Sequence, residues 1–142
     1  MATEMNAEEQ REFLARGTRT AKLATTMRDG SPHVMPVWFV LEGDELVFNT
    51  GADTVKGRNL TRDPRTSILV DDDRPPFAFV HMRGRVALSE DPDELLRTAT
   101  EIARRYMGAD RAAEFGARNA VPGELVVRFR PERVIALTGV SD

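Results

Sequence analysis

Residues 20–89 read as short strand-forming stretches separated by turns, and in the first of them apolar and polar positions alternate with a period of two. That spacing predicts strands with one buried face. "TAKLATTM" (20–27) sets Ala21, Leu23 and Thr25 against Lys22 and Ala24. "RDGS" (28–31) and "GD" (43–44) carry hairpin-turn chemistry and separate this strand from two more, predicted over 32–42 and 45–50. A fourth is predicted over 64–71 and a long fifth over 77–89, where Gly84 marks a bulge or bend. Residues 124–131 and 133–140 supply one or two closing strands around Pro131.

The helical signals are fewer. Asn6 followed by Glu9 reads as a capping box that opens a short helix to about Arg16, closed by Gly17. Asp91, Pro92 and Glu94 open the clearest helix, 91–108, with Leu95, Ala99, Ile102 and Tyr106 on one stripe and Gly108 at its end. A second short helix is expected over 109–119. Six or seven strands joined mostly by tight turns, with the helices set late, predict a mainly β, α+β domain. Its expected form is an antiparallel barrel or strongly coiled sheet with peripheral helices, in a single domain spanning 1–142.

The 32–42 strand is apolar on both faces: His33, Met35, Val37, Phe39 and Leu41 on one, Val34, Pro36, Trp38 and Val40 on the other. One face fills the barrel and the other needs a cover. A partner subunit or a flat ligand would provide it, and a homodimer is expected.

Composition narrows the function. The chain has no cysteine, which removes thiol catalysis, disulfides and cysteine-ligated metals. Its net charge of −3 argues against a nucleic-acid binder. No apolar run approaches a membrane span, and the acidic N-terminus lacks a secretory layout, so a cytoplasmic protein is expected. The two histidines, His33 and His81, have no nucleophile elbow to serve. The acidic run "DDDRPPF" (71–77) lacks the ligand spacing of a calcium loop and reads as a solvated turn between two strands. No catalytic residue and no metal ligand is assigned. If the protein is an enzyme, a cofactor carries the chemistry.

"GADTVKGRNL" (51–60) holds one of only two lysines and opens a basic segment of Lys56, Arg58, Arg62 and Arg65. Asp53 or Thr54 can cap a short helix there, whose start attracts anions. Lys56 adds a point charge and Arg58 a planar fork. Gly57 inside this helix points to a close approach, by a ligand or by a facing strand. The alternative reading is a polar helix face turned to water.

"LATTMRDGSPHVMPVWFV" (23–40), "TVKGRNLTRDPRTSILVDD" (54–72) and "PPFAFVHMRGRVAL" (75–88) resemble the FMN-binding split-barrel superfamily. The likeness is to pyridoxamine-phosphate-oxidase-like proteins, and most closely to the actinobacterial branch that uses the deazaflavin coenzyme F420. It covers about residues 10–140. The resemblance implies a homodimer with two cofactor sites at the subunit interface and hydride transfer to a conjugated small-molecule substrate. It implies that Lys56, helped by Arg58, Asn59 and Thr54, holds the cofactor phosphate, with Thr50 and Gly51 lining the same region. His33, Met35, Pro36 and Val37 would lie along the ring. Pro76, Phe77 and Ala78 would approach it, from the other subunit in one arrangement. FMN in place of F420, or a non-catalytic cofactor-binding protein, are the alternatives within this reading.

Overall fold

The computed structural model describes residues 1–142. Eight strands form one antiparallel sheet: β1 (Thr3–Glu4), β2 (Ala21–Thr26), β3 (Pro32–Val37), β4 (Val40–Glu42), β5 (Glu45–Gly51), β6 (Arg65–Asp72), β7 (Ala78–Ser89) and β8 (Glu124–Thr138). The helices are α1 (Ala7–Ala15), α2 (Val55–Arg62), α3 (Pro92–Met107) and α4 (Ala112–Asn119), the last preceded by a 3-10 turn. The mainly β architecture and the antiparallel pairing are those expected; the strand count is one above the upper expectation.

The surplus has a physical cause. Strand order is β3-β2-β6-β7-β8-β5-β4, so the two edges of the sheet, β3 and β4, are consecutive in sequence. The run 32–42 is therefore not one strand. Its first half pairs with β2, and after Trp38 and Phe39 its second half pairs with β5. The crossover closes the barrel and leaves it split between β3 and β4. The end of α3 satisfies the backbone of the crossover: Tyr106 Oη accepts from the Phe39 amide at 3.2 Å, and Arg105 donates to the Phe39 carbonyl at 2.8 Å. Trp38 stacks on the Tyr106 ring, centroids 5.0 Å apart.

Of the one or two closing strands expected around Pro131, the structure has one. β8 runs through the proline as one strand because Pro131 lies opposite Gly84 at a bulge, where the ladder needs no proline donor. A Cβ at Gly84 would run into the Arg130 carbonyl, so the glycine permits the close approach. The two-residue β1, unforeseen in the sequence, pairs with the end of β8.

Leu23, Phe39, Phe48, Ile68, Val80 and Phe129 fill the barrel. β5 and β8 are buried on both faces over Leu46–Phe48 and Leu125–Val127. The outer side chains, Val47 and Val126, pack with Leu95 of α3. Helix caps follow the sequence with one exception. Asn6 and Glu9 form the full box on α1. On α3, Asp91 accepts from the Glu94 amide, but the Glu94 carboxylate turns away to Arg128 and the box is half made. The acidic run is spent on structure, with Asp71 paired to Lys22 and Asp72 to Arg19 and Arg74.

Candidate functional site

Helix α2 is anchored over the barrel end by Leu60, 1% exposed. Its start is built from β5 and the loop that follows. Thr54 is the cap; its hydroxyl donates to the Gly51 carbonyl at 2.7 Å and accepts from the Gly57 amide at 3.1 Å. Thr50 Oγ1 lies 3.1 Å from the same hydroxyl. A Cβ on Gly57 would strike the Gly51 carbonyl oxygen, so the close approach that requires this glycine is made by the end of β5. Thr50, Gly51 and Thr54 thus shape the helix start, and the Val55 and Lys56 amides have no partner within the helix.

The basic segment does not act as one patch. Arg65 forms a two-pronged pair with Asp63, which holds that carboxyl down at about 2. Arg62 donates to the Thr26 carbonyl and to Asn59. Arg58 opens with Arg28 and Arg62 onto a groove of about 640 Å³ beside Met27. Asn59 is 3% exposed, and its amide is engaged by Thr25, Met27 and Arg62. Asn59 therefore fixes α2 to β2, and the structure does not place it beside Lys56 in a groove.

Lys56 faces the other way. It lines a groove of about 300 Å³ with Pro36, Val37, Trp38, Asn49 and Glu124, closed on one side by Ala99 and Ile102 of α3 and by Asn119. Of the residues expected from sequence, the structure brings Lys56, Pro36 and Val37 together here, with Thr50, Gly51 and Thr54 behind them. His33 and Met35 continue along β3; His33 Nδ1 is buried and has no hydrogen-bond partner. Pro76, Phe77 and Ala78 sit elsewhere. Phe77 is tied to Val140 beyond the far end of β8, whereas the groove lies at the start of β8. Within one chain they do not meet Lys56. His81 is half-buried on the outer sheet face, 2.7 Å from Ser67 Oγ.

Electrostatics separate this groove from the rest of the molecule. The half-buried cations are Arg19, Lys22, Lys56, Arg105 and Arg128. Arg19, Lys22 and Arg128 have acidic partners, and Arg105 donates to three carbonyls. Lys56 has neither. Among the half-buried acids, Glu42, Glu45, Asp63, Asp71, Asp72 and Glu94 are ion-paired. Glu124 is not. Burial pushes its carboxyl above the usual range while the Lys56 charge pulls against that. The two unanswered charges share one groove.

Trp38, Asn49 and Glu124 were missed by sequence reasoning. Trp38 carried a signal, as the only tryptophan of the chain in a strand needing a cover. Glu124 carried none, because only the β5–β8 register sets it opposite Gly51.

The fold is shared with known proteins. Residues 7–138 match the family described as pyridoxamine 5'-phosphate oxidase. The conserved hypothetical protein Rv2991 of Mycobacterium tuberculosis is similar, with 27% identity and a TM-score of 0.84 over 96% of this chain and 87% of that one. An F420 reductase is 26% identical, with a TM-score of 0.68 over 87% of this chain and 94% of that one. The heme storage protein HutZ of Vibrio cholerae, 19% identical with a TM-score of 0.74 over 96% of this chain and 98% of that one, shares the fold. No curated protein matches.

Proposed function

The chain belongs to the pyridoxamine 5'-phosphate oxidase family, and from that premise we propose that it is an oxidoreductase that binds the deazaflavin coenzyme F420 in the Lys56 groove. One observation carries the reading: Lys56 is the half-buried cation that the fold leaves without an acid or a carbonyl, and it stands at a helix start beside an apolar wall. Its residues fit a phosphorylated ring. Lys56 and the free amides of the α2 start would hold the phosphate, and Pro36, Val37 and Trp38 would flank the ring. His33, with its unpartnered Nδ1, and Met35 would extend that track along β3. The likeness to an F420 reductase supports the deazaflavin over FMN.

When bound, the reduced deazaflavin supplies a hydride equivalent to a conjugated acceptor. The chain contributes placement and exclusion of water. The Tyr106 ring, stacked on Trp38, keeps the indole in one orientation. Tyr106 is itself held by hydrogen bonds to Phe39 and Arg19. A homodimer belongs to the proposal. The outer face of the sheet leaves Val34 62% and Ile135 58% exposed, and a second copy would cover them. The partner would also bring its own Pro76–Ala78 segment towards the groove, which one chain does not achieve alone.

Side-by-side fluorescence titration with F420 and with FMN tests the reading. F420 is expected to bind, and to bind far more weakly to Lys56→Ala. Preference for FMN would move the protein to the flavin-binding alternative, and binding of neither would overturn the proposal.

A further inference from the structure

Glu124 poses a problem for a groove that takes a phosphate. Its carboxylate begins β8, directly opposite Gly51. Oε2 sits so close over that residue that a Cβ there would lie 2.9 Å away. It has no hydrogen bond and no ion pair, whereas every other half-buried acid is answered by an arginine or lysine. Lys56 is the one charged side chain that lines the groove with it. The residues facing it from β5, α3 and α4 are Asn49, Ala99, Ile102 and Asn119, and those from β3 and the crossover are Pro36, Val37 and Trp38, all uncharged. An anion drawn to Lys56 therefore arrives beside a carboxylate.

We propose that Glu124 takes up a proton when the coenzyme phosphate binds beside it at Lys56, so that coenzyme binding is coupled to pH. This rests on the reading of the groove as the coenzyme site. Two effects act in the same direction on binding. The incoming phosphate repels the carboxylate, and it draws the Lys56 charge away from it. The ligand-free groove is already biased that way, since burial holds the carboxyl above its ordinary range.

Three measurements on the full-length protein test this. Carboxyl NMR titration of the ligand-free chain should place Glu124 above the other glutamates, and higher again in Lys56→Met. Calorimetry of F420 binding in two buffers of different ionisation enthalpy should show net proton uptake that Glu124→Gln abolishes. F420 affinity should fall as pH rises in the wild type and hold level across the same range in Glu124→Gln. F420 bound equally well with the same proton uptake in Glu124→Gln would overturn the proposal and leave the coenzyme site standing. Failure of F420 and FMN alike to bind would remove the site on which the proposal rests. A Glu124 carboxyl titrating in the ordinary range and indifferent to Lys56→Met would overturn it without any coenzyme present.

Discussion

Two clusters of half-buried charge flank the same pair of strands, β5 and β8, and they are built on opposite plans. On the outer side Arg128 stands among three acids, with Glu42 at 2.8 Å, Glu94 at 3.3 Å and Glu45 at 3.5 Å. Arg97 and Arg130 answer Glu42 and Glu45 a second time. At the strand ends Lys56 and Glu124 share a groove and neither is answered. The first cluster is finished by the fold. The second holds two desolvated charges whose partners are absent from the chain, the condition of a binding site more than of a structural bond.

Breaking the finished cluster should give the largest effect. Arg128→Ala removes the shared cation, leaves Glu94 without an ionic partner, and should lower unfolding free energy by about 2–3 kcal/mol. Urea denaturation measures it, and F420 affinity should change less than about twofold. Lys56→Ala should do the reverse. It should weaken coenzyme binding by about 1.5–3 kcal/mol, the worth of a hydrogen bond to a charged group. Ligand-free stability should stay within about 0.5 kcal/mol. A stability loss like that of Arg128→Ala would make Lys56 a structural residue and erase the contrast.

What was legible in the sequence divides by range. Local chemistry was readable: the Asn6 box, the Thr54 cap, the turns around Gly30 and Gly43 and the Gly84 bulge all depend on neighbours in the chain. Long-range pairing was not. Every position from Met35 through Leu41 is apolar, so no period could show that the chain changes sheet edge at Trp38–Phe39. Asn59 looked like a ligand-binding amide because its burial against Thr25 depends on where α2 lands. Lys56 was found because its helix start is local, whereas Glu124 reaches the groove only through the β5–β8 ladder.

The smallest effects carry the sharpest form of the contrast, because the two clusters should respond to pH with opposite sign. Burial alone would raise the Glu42 carboxyl, but hydrogen bonds from Arg97 and Arg128 outweigh it and the group titrates below its ordinary range. Its stabilising contribution is then present above the unfolded-state value and is lost as pH falls through the lower, folded one. Glu42→Gln should cost about 1 kcal/mol at pH 7, with the difference from wild type closing in acid. Glu124 is raised by burial, with Lys56 opposing. The folded state binds its proton more tightly than the unfolded chain, so ionised Glu124 weakens the fold at high pH. That penalty is relieved as pH falls through the raised value. Glu124→Gln should therefore stabilise the ligand-free protein above that value, by no more than about 0.5 kcal/mol once solvent screening is allowed for, and match wild type in acid. Urea melts of both glutamine variants across pH 3 to 8 decide the matter: curves of the same sign would mean that Glu124 has a counter-ion in solution, and the groove would then be as finished as the Arg128 cluster.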